Sequence, residues 1–166
     1  MAALRASSST NETMRIRAAR SEHASAISSL LGALLASGRR NAPTDTEFVL
    51  KHYIRHPERI ACTLVFSKDD QLLGFQTLKR AVVGNRHETP EGWGIIGTHL
   101  SPNVAPQAVG CRLFGTTRMA AATAGLVDIE AFIDAEDDDV LAYYEKIGLG
   151  TWRTAPGVVC KRFSFA

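Results

Sequence analysis

Few side chains in this 166-residue chain are of types that do chemistry at an unusual spacing, and most of them fall in its second half. His99 ends an apolar run and carries an imidazole whose ordinary pKa, about 6.5, suits it to exchange a proton near neutrality. The same residue fits equally a hydrogen-bonded structural histidine. Downstream of Pro102 the chain reads Ala105-Pro106-Gln107-Ala108-Val109-Gly110-Cys111, where an extended segment runs into a helix. Such a junction aims unpaired backbone N–H groups at one spot, the helix dipole adds positive potential, and a phosphate or diphosphate fits there. A glycine lets the backbone approach the anion closely. Because an interior helical glycine costs about 1 kcal/mol against alanine, Gly110 implies either a ligand or a close-packed neighbour. Cys111, beside the same helix start, is a candidate acyl-accepting thiol or a small packing residue.

Other clusters read differently. Asp134, Glu136, Asp137, Asp138 and Asp139 lack the alternating spacing and the glycine of a calcium loop, and they stand where a helix start favours acids, so no metal site is expected. His52 and His56 are four apart without the glutamate of a zinc protease. There is no serine-nucleophile elbow and no phosphate-binding Walker loop. Nineteen basic residues against seventeen acidic ones leave +2, with the arginines scattered, which argues against nucleic acid as a partner. The longest strongly apolar stretch, Leu30 to Ala36, is too short to span a bilayer. Cys62, Cys111 and Cys160 are odd in number and form no CxxC pair, which fits free thiols in a reducing compartment, and the cytoplasm is the expected location.

The elements that must position these residues follow from periodicity. Arg15 to Ala19 alternates as a short strand, and Ser21 offers an N-cap to a helix with Ile27, Leu30, Leu31, Leu34 and Leu35 on one stripe, stopped near Gly38. Thr44 and Glu47 have capping-box spacing for a second helix bearing Val49, Leu50, Tyr53 and Ile54, ended before Pro57. Ile60 to Phe66 and Leu72 to Val83 read as a hairpin, 84–92 as a polar loop, and Trp93 to Leu100 as a strand. A helix is expected from Gln107 to Ala124, a strand from Leu126 to Ile133, a helix from Glu136 to Ile147, and a last hairpin from Thr151–Arg153 and Val158–Phe165. Residues 1–13 read as a flexible extension and 14–166 as one domain. The order β-αα-βββ-α-β-α-ββ predicts an α/β (α+β mixed) fold: a central, mixed, mostly antiparallel twisted sheet of about seven strands flanked by four helices.

That order, together with two local patterns, resembles the GNAT superfamily of acyl-CoA-dependent N-acetyltransferases over nearly everything after Met14. One pattern is the strand ending at Pro102 followed by Ala105 to Gly110, with Val109, Leu113 and Phe114 matching around the glycine. Here Ala105 replaces the family's Arg or Gln, Ala108 replaces a glycine, and Pro106 has no N–H to offer. The other is Asp137 followed by Tyr144-Glu145-Lys146-Ile147-Gly148-Leu149, where the family typically has Asn at the first position.

The resemblance implies an acetyl-CoA-dependent N-acetyltransferase moving an acetyl group to a primary amine of a small molecule, or of a protein, by direct attack in a ternary complex. It implies acetyl-CoA (coenzyme A) as cosubstrate, held by Leu100, Gln107, Ala108, Val109, Gly110, Cys111, Asp137 and Tyr144. The Leu100 N–H is expected to face the thioester oxygen, and Tyr144 to protonate the departing thiolate. His99 is the candidate base, with Glu91, Glu130 and a water chain as rivals. A homodimer is compatible with the family. The altered Ala105 to Ala108 stretch leaves a second reading, a non-catalytic module that senses acyl-CoA or binds a partner.

Overall fold

The computed structural model describes residues 14–165, so the expectation for residues 1–13 lies outside the described residues. Seven strands form one sheet in the order β1-β2-β3-β4-β5-β7-β6. They are β1 (Arg15–Ala18), β2 (Arg59–Phe66), β3 (Leu72–Arg80), β4 (Gly94–Leu100), β5 (Asp128–Asp134), β6 (Gly150–Ala155) and β7 (Val158–Ser164). Every neighbouring pair is antiparallel except β4 and β5, which run parallel. That one parallel step needs a crossover, and α3 (Pro106–Thr123) supplies it.

The first two helices, α1 (Ala24–Ala36) and α2 (Thr46–Val49), cover one face of the sheet. The α1 stripe buries Ile27, Leu30, Leu31 and Leu34 against Cys62, Leu64, Phe66 and Phe75, while Leu35 stays exposed. A left-handed glycine, Gly38 at φ +78°, turns the chain away after α1. The α2 segment widens into a π-type turn over Leu50–Ile54 that still buries Tyr53 and Ile54. On the opposite face, α3 and α4 (Asp138–Lys146) pack against Leu78, Ile96, Ile129 and Ala131, with Val109 and Leu113 of α3 meeting Val65.

Three local expectations are corrected. Ser21 does not cap α1; it lies within a short 3₁₀ turn, Ser21–His23, whose entry is closed by the Arg20 N–H donating to His23 Nδ1. Thr44 does not cap α2; the Asp45 side chain accepts from the Phe48 N–H at 3.1 Å, one residue on and a stronger acceptor. The helix expected from Glu136 begins at Asp138, because Asp137 is its N-cap and Glu136 lies in a tight turn before it, its N–H on Asp134 Oδ1 at 2.9 Å; the first turn of α4 thus holds Asp138 and Asp139.

Candidate active site

The parallel strands β4 and β5 pair only at Gly94–Ile129, Ile95–Glu130 and Ile96–Ala131, although both continue for several residues. Beyond Ile96 they part. The ladder between β3 and β4 fixes which groups this exposes. The Ser101 N–H donates to the Leu73 carbonyl and the Ala81 N–H to the Trp93 carbonyl, so the odd-numbered residues of β4 exchange bonds with β3. The N–H and C=O groups of Thr98 and Leu100 therefore point toward β5, where no partner strand remains.

The gap opens into a cleft of about 540 Å³, within the range that holds small ligands. Thr98, His99, Leu100 and Pro102 form its β4 side, Leu34, Gly38 and Arg39 close it from the end of α1, and Asp137, Val140 and Tyr143 close it from α4. Pro106, the first residue of α3, is at its rim. As a proline it has no donor, so the unpaired donors of the first α3 turn are the N–H groups of Gln107 and Ala108.

Beneath the cleft lies a buried polar network. Gln76 Nε2 donates to Thr98 Oγ1 at 2.8 Å and to the Tyr143 hydroxyl at 3.1 Å. The Tyr143 hydroxyl donates to the Gly110 carbonyl at 2.8 Å. Thr98 Oγ1 and the Tyr144 hydroxyl are 2.8 Å apart. Burial pushes Tyr144 up to about 12, opposed by its bond to Thr98, and burial raises Tyr143 as well. Both phenols are thus protonated throughout the neutral range.

By sequence, no family model matches the chain and no curated protein is significantly similar to it. Its structure is similar to that of the paiA N-acetyltransferase from Thermoplasma acidophilum in complex with coenzyme A (14% identity, TM-score 0.74, 92% of this chain and 99% of that one). It is also similar to a GCN5-related N-acetyltransferase from Kribbella flavida (14%, TM-score 0.73, 93% and 99%). A third similar structure is yncA of Salmonella typhimurium with its cofactor acetyl-CoA (14%, TM-score 0.70, 93% and 95%). The chain has the GNAT fold.

Within that GNAT fold the predicted site residues separate into three groups. Leu100, His99 and Asp137 line the cleft, and the backbone of Gln107 and Ala108 opens the α3 terminus beside it. Val109, Gly110 and Cys111 do not offer donors to a ligand: from Val109, the fourth helical position, whose N–H donates to the Ala105 carbonyl, N–H groups are spent on the helix ladder. Val109 is buried against the sheet, and Cys111 is exposed on α3. The expectation that Gly110 lets a phosphate approach is corrected. A Cβ there would lie 2.3 Å from Tyr143 Cε2, so the glycine admits a tyrosine ring.

Tyr144 turns its hydroxyl to Thr98, and it is Tyr143 that lines the cleft. Asp137 caps α4, its Oδ1 accepting from the Val140 N–H at 3.3 Å. His99 stacks on Phe75 with ring centres 4.6 Å apart, and burial, then the charges of Arg40 and Lys79, lower its pKa to about 3. An imidazole that weak lies about 10 kcal/mol uphill from accepting the proton of an alkylammonium of pKa ~10, so the base role expected of His99 is corrected to that of a neutral wall. Glu130 is excluded as its rival, since Thr89, Trp152 and a two-pronged Arg153 take both of its oxygens in the interior.

Sequence reading missed Thr98 and Gln76. Their signal was present: both are polar at positions that alternate in phase with the core residues Ile96 and Leu78.

The donor set suits coenzyme A at one end more than at the other. Strand-edge groups of Thr98 and Leu100 match the amide-bearing arm, as an added strand would. For the diphosphate there are the Gln107 and Ala108 N–H groups, and Lys146, whose Nζ donates to Gln107 Oε1 at 2.6 Å, adds a cation beside them. Asp134, Glu136 and Asp139 on the α4 side oppose an anion.

Proposed function

We propose that the chain is an acetyl-CoA-dependent N-acetyltransferase acting on primary amines by direct attack. The observation that carries this reading is the parting of β4 and β5 after Ile96, which leaves the Thr98 and Leu100 backbone groups facing a cleft. In this reading acetyl-CoA supplies an acetyl thioester: a C–N bond forms, the C–S bond breaks, one ammonium proton leaves to water, and a second proton ends on sulfur. The Leu100 N–H donates to the acyl oxygen as negative charge builds there. The N–H groups of Gln107 and Ala108 hold the diphosphate.

The Thr98 hydroxyl hands a hydrogen bond toward sulfur. Gln76 already donates to Thr98 Oγ1, so when Tyr144 donates as well, the Thr98 hydrogen is left to point into the cleft it lines. Tyr144 thereby reaches the cleft through Thr98. A phenol at about 12 gives up its proton reluctantly in an apolar setting. The pair therefore shares a proton with the growing charge rather than surrendering it. With His99 at about 3, deprotonation of the amine, about 4 kcal/mol at pH 7 for a pKa of ~10, falls to water.

The test is thiol release from acetyl-CoA over a panel of primary amines, beside a thermal shift with coenzyme A alone. Amine-dependent release with a raised Tm is expected. No release with any amine and no shift would overturn the reading.

A further inference from the structure

Cations without counter-charges gather beside the cleft on the face covered by α1 and α2. Arg40 donates through Nη2 to the Pro43 carbonyl at 2.7 Å and to the Tyr53 hydroxyl at 3.3 Å, and its Nε is buried with no partner among the described residues. Lys79 Nζ lies 5.8 Å from the centre of the same tyrosine ring. That ring in turn packs 5.6 Å from His99, so one face of the Tyr53 cluster is continuous with the cleft wall. Arg39 lines the cleft itself. No ion pair among the described residues involves Arg39, Arg40, Lys79 or Arg86.

Holding Lys79 half-buried and unpaired is unfavourable. Burial, then Arg86, pushes its pKa down. Three neighbouring histidines, His52, His56 and His99, are likewise held below their usual range by burial first and then by Lys79 or Arg40. A region of unpaired cations that disfavours further positive charge on Lys79 and on the three histidines beside it is one an anion would relieve.

We propose that Arg40 and Lys79 anchor a carboxylate carried by the acceptor, so that the acceptors are amino acids or amino-acid-like amines rather than simple alkylamines or polyamines. The proposal rests on the acetyl-transfer reading of the cleft. Two consequences follow from the same charges. A polyamine brings further positive charge to a positive wall and is disfavoured. The ammonium of a bound acceptor is destabilised relative to the neutral amine, which supplies part of what a general base would otherwise provide.

The test compares acceptor pairs that differ only in the carboxylate: β-alanine with ethylamine, phenylalanine with phenethylamine, and methionine with its decarboxylated amine. The carboxylated member of at least one pair should have a kcat/KM higher by about tenfold to a hundredfold, as one charge-assisted hydrogen bond provides. In Lys79→Gln and in Arg40→Gln that ratio should shrink toward one through KM. Independently of turnover, phenylacetate should raise the Tm of the wild-type chain while phenylacetamide does not, and Lys79→Gln should abolish the difference. Equal rates within every pair, or a preference that survives both substitutions, would overturn the proposal. Failure of the broader reading looks different: no thermal shift with coenzyme A and no thiol release, in which case the phenylacetate comparison alone decides.

Discussion

Gly110→Ala places one methyl group where α3 packs against the Tyr143 ring of α4. The added Cβ would lie 2.3, 2.7 and 3.0 Å from Cε2, Cζ and Cδ2 of Tyr143, a ring that is itself fully buried and tethered through its hydroxyl to the Gly110 carbonyl and to Gln76. Overpacking of this kind costs about 1–3 kcal/mol, and displacing the hydroxyl forfeits hydrogen bonds each contributing about 0.5–1.5 kcal/mol. Against this, alanine gains about 1 kcal/mol over glycine in a helix interior. The expected net loss is about 1–5 kcal/mol. Equilibrium unfolding in urea measures it, and the double variant isolates its cause. In a Tyr143→Leu background the ring is gone, so the same methyl should be neutral or stabilising. A Gly110→Ala chain as stable as the wild type, or a penalty that persists without the ring, would refute the assignment of Gly110 to packing against α4.

Thr98→Val and Tyr144→Phe should each lower kcat by about tenfold to a hundredfold, and the double variant should be no slower than the worse single, because both lie on one proton path; additive losses in steady-state kinetics would contradict that path. Glu130→Ala removes the carboxylate from a buried Arg153 pair and also strands Thr89 and Trp152, so chemical denaturation should record a loss of about 3–5 kcal/mol, and a near-neutral change would contradict the network. His99 binds a proton at about 3 in the folded chain and at about 6.5 when unfolded, so the unfolded state takes up more protons between those values. Stability is therefore full above pH ~6.5 and falls toward acid by up to about 1.4 kcal/mol per pH unit. His99→Gln should flatten that slope, and an unchanged slope would place its origin elsewhere.

The fold was legible because its signals are local and repeated. The stripe from Ile27 to Leu34 specifies α1, the alternating runs specify the strands, and Gly38 and Gly148, at φ +78° and +106°, mark two helix ends as glycines do. Caps were less legible: Thr44 and Asp45 are both good acceptors, and only the backbone geometry chooses between them.

The site resisted for a different reason. That β4 and β5 part after Ile96 is a property of two distant segments, and no residue in either announces it. Motif position assigned Tyr144 a place at the reacting sulfur, whereas packing put Tyr143 in the cleft and Thr98 between it and Tyr144. The charge environment of His99 depends on Lys79 and Arg40, which no spacing in the sequence connects to it.

Amide hydrogen exchange with and without coenzyme A tests most directly whether the parted strands receive the cosubstrate. Slower exchange at Thr98, Leu100, Gln107 and Ala108 is the result predicted, with the odd-numbered residues of β4 unchanged. Unaltered exchange at those four amides, under conditions where coenzyme A is bound elsewhere or not at all, would contradict it.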